Sequence, residues 1–232
     1  MPNWNSNHVT VRNATTEQIQ RIIQACERNE LLNEFLPQPN WASIPNENGH
    51  LPGPRYKVRY RNGRVGVASP EFPDGSSDQR WYDWRTSELN WGTKWEPDVE
   101  VTTSSDNSIE LYFNTAWCPP SDTWFEMLSS EMPDAQISNS FSEPGCDFFG
   151  MQLATAGRCL SKCLEINPLY DIWVKKTLSP EDFAIYEDES HEQNEDISEA
   201  TREQWYECYY DVIEEALSPL TKALDASFLA TA

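Results

Sequence analysis

Between residues 177 and 217 the chain carries 14 acids and a single base, Arg202. A block of like charge this dense is costly to compact, and it repels nucleic acid, membranes and acidic substrates. The imbalance is local. Residues 1–100 hold 11 Lys/Arg and 13 Asp/Glu, whereas residues 101–232 hold 6 and 25, which accounts for most of a formal charge of −21. Such a segment is either a solvating surface or the match for a positively charged partner.

The remainder has the means to build a core. Only 38% of the 232 residues are hydrophobic, but 10 Trp, 9 Tyr and 9 Phe supply large contact areas. That aromatic load argues against general disorder. No stretch approaches the roughly 20 apolar residues of a membrane span. The polar, Asn-rich N-terminus does not read as a signal peptide, so a soluble cytoplasmic protein is expected. Cys26, Cys118, Cys146, Cys159, Cys163 and Cys208 contain no C-x-x-C pair. They read mostly as buried thiols rather than a metal or redox site, and neither cofactor nor metal is expected.

The chain alternates strand and helix signals. His8–Val11 alternates polar and apolar residues as a strand does. Asn13–Thr16 offers caps to an amphipathic helix with Ile19, Ile22, Ile23 and Cys26 on one side. A proline-rich irregular connection runs from Phe35 to Pro54. A hairpin over 55–67 follows, marked by Asn62-Gly63 between alternating runs. Its first strand places Arg55, Lys57, Arg59 and Arg61 on one face, with Arg64 beyond the turn. A helix starts near Asp78 and ends before Gly92.

Val99–Val101 and Ile109–Phe113 read as paired strands around the turn Ser104–Ser108. Ser121 caps a helix bearing Trp124, Phe125 and Leu128, and strands follow at Gln136–Phe141 and Phe148–Leu153. The order strand, helix, strand, strand, helix, strand is the split βαβ pattern of an α+β, ferredoxin-like sandwich, with an inserted β-hairpin. The domain reading is a sandwich at 1–165 and an acidic helical extension at 166–232. In that extension Trp205, Tyr209, Val212, Ile213 and Ala216 recur at helical spacing over Thr201–Leu217.

Several motifs look familiar in combination. Met1-Pro2-Asn3-Trp4 with Asn7, Trp84-Arg85, Asn90-Trp91-Gly92-Thr93-Lys94-Trp95, Phe113-x-Thr115-Ala116-Trp117-x-Pro119-Pro120 and Glu143-Pro144-Gly145-x-x-Phe148-x-Gly150 occur in order. They resemble the YubB-like, ferredoxin-domain family of phage and plasmid proteins, over about 1–15 and 80–153. The resemblance implies a ferredoxin-like fold and a mobile-element origin, and no reaction. Asn5 departs from it, standing where a cysteine is expected. The basic hairpin and everything after about Glu165 have no counterpart in it.

Two groups of residues are candidate sites. On the predicted C-terminal helix Glu199, Glu203, Glu207, Asp211 and Glu215 fall at four-residue intervals, about 6 Å of rise apart, near the phosphate spacing of a nucleic-acid strand. Four such like-charge pairs destabilise a helix by about 1–2 kcal/mol at low salt. An unbroken row therefore suggests use. The expected function is non-enzymatic: a phage or plasmid inhibitor of a host defence system, a CRISPR complex or a nuclease. It would occupy a basic nucleic-acid groove by acidic mimicry. The residues concerned are Glu199, Glu203, Glu207, Asp211, Glu214 and Glu215, assisted by Glu187, Asp188, Glu192, Glu195 and Asp196. The expected partner is a host protein with a basic nucleic-acid-binding surface, with no direct nucleic acid and no membrane; the aromatic excess leaves room for a homodimer.

The alternatives are a nucleic-acid-binding accessory protein using Arg55, Lys57, Arg59, Arg61 and Arg64, or an interaction protein whose acidic face only solubilises. The cluster Trp91–Trp95 reads either as a surface where Lys94 reaches a ligand or, on base rates, as aromatic packing. Asp98 and Glu100 read as ordinary strand-edge acids. Gly-rich phosphate loops, H-E-x-x-H, G-x-S-x-G and Cys–His pairings are absent from the sequence.

Overall fold

The computed structural model describes residues 3–54, 57–59, 65–67 and 70–165, together with 215, 216, 218, 219, 222 and 226. The acidic residues from Glu187 to Glu214, and Arg55, Arg61 and Arg64, lie outside these. Lys57 and Arg59 are described by their backbone alone. Glu215 is described, as an exposed helical residue.

β1 (Trp4–Arg12) is longer than the alternation at His8–Val11 alone indicates. Val9 and Val11 are fully buried, and Val11 stands between Ile109 and Ile137 in a row crossing three strands. α1 (Thr16–Glu27) starts where Thr15 forms a capping box with Gln18. The Thr15 hydroxyl accepts the Gln18 N–H at 3.2 Å, and Gln18 Oε1 accepts the Thr15 N–H at 2.8 Å. A cap of this kind contributes about 1 kcal/mol. The helix buries Ile19, Ile22 and Ala25.

β4 (Val99–Ser104) and β5 (Ser108–Ala116) pair antiparallel, with a register shift between Val101 and Thr103. Ser121 caps α4 (Asp122–Ser130), accepting the Trp124 N–H at 3.0 Å, and the helix buries Trp124, Phe125 and Leu128. β6 (Gln136–Glu143) and β7 (Phe148–Thr155) follow. The sheet order is β4-β5-β1-β6-β7-β8, antiparallel throughout. β5 thus separates β1 from β4 across the α1 crossover, and β1 separates β5 from β6 across the α4 crossover. This double split is the ferredoxin-like α+β arrangement.

β8 (Arg158–Glu165) extends the sheet by a strand that periodicity did not reveal. The turn into it has positive φ at both central residues, Ala156 (48°) and Gly157 (76°), with Thr155 opposite Arg158. That is the twist-matched two-residue hairpin turn. Gly150 of β7 is needed for packing, since a β-carbon there would collide with the Lys162 carbonyl and the Phe141 ring.

Residues 28–98 form a long excursion within the first crossover. It contains α2 (Leu31–Phe35), β2 (Lys57–Arg59), β3 (Val65–Val67) and α3 (Arg80–Thr86). β2 and β3 pair as the expected hairpin, in a two-stranded sheet of their own. α3 is shorter than its sequence signal, ending six residues before Gly92. Arg80 clasps the excursion: it meets the fully buried Asp78 twice at 2.9 Å, donates to the carbonyls of Ile44 (2.9 Å) and Pro45 (3.1 Å), and covers the Trp41 and Phe72 rings.

Candidate functional site

Strand alternation sorts β1 and β5 into two faces. Val9, Val11, Ile109, Leu111 and Phe113 join the core, while Trp4, Ser6, Tyr112 and Asn114 are exposed on the other side. At this end of the sheet an open groove of about 800 Å³ runs between the exposed residues and the segment Trp95–Glu100. Trp4 and Trp95 meet with ring centroids 5.9 Å apart. Tyr112 stacks on His8 at 4.2 Å and stands directly opposite Glu100 in the register. Trp4 and Tyr112 are each 45% exposed, unusual for rings of this size.

The groove is walled by Glu96, Asp98 and Glu100, and among the described residues no Lys or Arg lines it. Asp98 and Glu100 are exposed; Glu96 is half-buried and committed to structure. Its two oxygens accept the N–H groups of Leu32 (2.8 Å) and Asn33 (2.7 Å), tying the β4 approach to α2. Burial pushes its pKa up to about 7, against the lowering effects of those hydrogen bonds and of Arg85.

Of the two readings of the Trp91–Trp95 cluster, packing describes Trp91. Trp91 is a core residue, 1% exposed, donating its indole N–H to the Leu36 carbonyl at 2.8 Å and meeting Trp84 edge-on. Gly92 makes the turn that carries the chain on (φ 72°), where a β-carbon would crowd Ser121. Lys94 sits over Trp95, Tyr82 and Trp117, at 5.1, 5.3 and 5.7 Å from the ring centroids. Its charge is satisfied by three rings beside the groove, so the packing reading holds for Trp91 and a cation–π cage describes Lys94.

On the helix side of the sheet a polar chain runs through the interior. Asn7 donates to Thr115 Oγ1 at 2.9 Å, and Asn139 donates to Asn7 Oδ1 at 3.1 Å and to Gln152 Oε1 at 2.9 Å. Gln152 donates to the Pro120 carbonyl at 2.9 Å and to Asp122 Oδ1 at 2.8 Å; Ser161 closes the chain on Asp122 Oδ2 at 2.7 Å. Asn5, 0% exposed, lies at the head of this network, with its amide nitrogen unpaired. The chain links β1, β5, β6, β7, β8 and α4, and its role is to fix their register.

The cysteines correct the sequence reading. Cys118, Cys146 and Cys163 are exposed, and Cys26 and Cys159 are half-buried. Cys118 follows β5 in a loop, Cys146 lies in the tight turn after Glu143, and Cys163 is on β8, the last strand of the sheet. Burial pushes Cys26 up to about 11 and raises Cys159 further, with Asp122 adding to the latter. Among the described residues no group of three or more His, Cys, Asp and Glu is placed to hold a metal ion, and no helix is long and apolar enough to cross a membrane.

Of the sequence-derived candidates, the described residues include Glu215 of the acidic row and the backbones of Lys57 and Arg59. Glu215, Lys57 and Arg59 are not among the residues that line the groove, which sequence reasoning did not assemble. Glu100 and Tyr112 face each other through the strand register, and Trp4, opposite Ala116 on β1, lines the same groove.

Residues 90–167 match the family model of the ferredoxin-like domain in Api92-like protein. The matched span runs from just before β4 to the end of β8, while β1 and α1 of the same sheet lie outside it. No curated protein matches the chain. Among solved structures, the crystal structure of a protein api92 from Yersinia pseudotuberculosis is similar at 11% identity and a TM-score of 0.39, covering 71% of this chain and 98% of that one.

Proposed function

We propose that the chain is a non-enzymatic inhibitor that binds a host protein through that protein's basic nucleic-acid-binding surface. The observation that carries this reading is the segregation of charge: 25 acids against 6 bases after residue 100, with 14 acids and one base over 177–217. A protein selected for solubility alone intersperses lysines at no loss. An unbroken acidic row steers toward a cationic groove and raises the association rate in a salt-dependent way. The residues assigned to this contact are Glu199, Glu203, Glu207, Asp211, Glu214 and Glu215, with Glu187, Asp188, Glu192, Glu195 and Asp196 flanking them. The likeness to the YubB-like family supports a phage or plasmid origin, and a defence nuclease or CRISPR complex in the bacterial cytoplasm is the target class this implies. The test is charge reversal: Glu203→Lys, Glu207→Lys and Asp211→Lys together abolish capture of the host protein, and an unchanged capture rejects the reading.

A second reading is supported by the separation of β2–β3 from the main sheet, with Lys57 and Arg59 alternating on one strand. On that reading the hairpin contacts phosphates. A mobility shift of duplex or single-stranded nucleic acid by the native chain supports it, and none is expected if the acidic row is the functional element.

A further inference from the structure

We infer that the groove beside β4 receives an arginine-bearing segment of the partner protein. This rests on the reading that the partner is basic, and adds to it a second contact outside the acidic row. The groove combines exposed rings, Trp4 and Tyr112, with exposed carboxylates, Asp98 and Glu100, and among the described residues no Lys or Arg lines it. Glu100 faces Tyr112 across the β4–β5 pair, so a carboxylate and an aromatic face stand side by side.

That juxtaposition suits a guanidinium. Its plane stacks on a ring while its edge donates two parallel hydrogen bonds to a carboxylate, and it sheds water more readily than an ammonium does. A phosphate or a second acidic chain meets repulsion from the same carboxylates. Three rings already hold the ammonium of Lys94 next door, so this surface pairs cations with aromatic faces within its own fold. The volume, about 800 Å³, suits a short extended peptide with more than one side chain engaged.

The experiment titrates the full chain with a short synthetic peptide of alternating arginine and glycine, following tryptophan emission and heat. Its lysine counterpart and a neutral oligosaccharide are run beside it. Native protein, Glu100→Gln and Tyr112→Ala are compared, each also with Glu203→Lys, Glu207→Lys and Asp211→Lys, so that binding to the acidic row is subtracted. The arginine peptide is expected to bind more tightly than the lysine peptide, and each groove substitution to weaken it about tenfold, one lost cation–π or charge-assisted contact. Both substituted positions are exposed, and unchanged thermal melting shows that the fold is kept. Equal binding of the two peptides, indifference to Glu100→Gln, or an oligosaccharide that binds in their place overturns the inference. Host-protein capture that is lost on reversal of the acidic row but unaffected by Glu100→Gln retires the groove alone. The opposite pattern retires the acidic row and keeps the groove.

Discussion

Glu96 accepts the backbone N–H of Leu32 at 2.8 Å, closing the start of α2 with a carboxylate from 64 residues further along the chain. The carboxylate is desolvated by this arrangement, and its pKa rises from 4.5 to about 7. Between those values the folded chain keeps a proton that the unfolded chain has released, so raising the pH through this window favours unfolding. Native protein is therefore expected to lose up to about 3 kcal/mol of stability between pH 5 and pH 8 through this group. Glu96→Gln removes that slope, at the expense of one acceptor for α2. Urea midpoints at several pH values check it, and equal slopes for the two proteins exclude Glu96 as the source.

Arg80 is expected to be the least replaceable residue of the excursion between α1 and β4. Its partner Asp78 is fully buried, and three carbonyls also depend on the same guanidinium. Arg80→Ala leaves a buried charge with fewer donors and costs about 3–5 kcal/mol. Arg80→Lys recovers only part of this, because an ammonium lacks the planar fork. Chemical denaturation of the two variants measures both values.

The amide chain through the sheet makes a sharper claim about position 139. Asn139→Ala strands Asn7 Oδ1 and Gln152 Oε1 without their donor, a loss of about 1–3 kcal/mol. A double-mutant cycle pairing Asn139→Ala with Gln152→Ala is expected to show coupling, since the two residues share a hydrogen bond. Additive losses would mean that the chain does not act as a unit.

Thiol labelling separates the cysteines. Native protein is expected to take up alkylating reagent at the exposed Cys118, Cys146 and Cys163, and slowly at Cys26 and Cys159, whose burial holds them in the thiol form. Mass spectrometry of digests taken before and after denaturation reads this out. Early labelling of Cys159 would contradict its placement against Asp122.

Much of the ferredoxin-like core was legible because it is locally coded. Thr15 and Ser121 announce α1 and α4, and the alternation around Val9, Leu111 and Ile137 announces three strands of one sheet. α2 was not legible: five residues are too few for a period, and its closing carboxylate comes from Glu96. β8 was missed because an end strand has little of its surface buried, and Cys159, Leu160 and Leu164 leave no clean alternation. α3 was drawn too long, up to Gly92; the helix ends at Thr86, and the Trp84 and Trp91 indoles pack edge-on across the loop that follows it. The groove escaped for a different reason. Trp4, Glu100 and Tyr112 carry no signal singly; the register faces Glu100 with Tyr112, and pairing of β1 with β5 brings Trp4 to the same groove.

The central claim is that a carboxylate row on this chain is matched by cations on another protein. Its most direct test presents a bacterial lysate to the immobilised full chain and to the form carrying Glu203→Lys, Glu207→Lys and Asp211→Lys. The account predicts that the native chain retains a nucleic-acid-handling protein, that about 300 mM salt or added nucleic acid releases it, and that the substituted chain retains none. Equal retention by both forms, insensitive to salt, would contradict it.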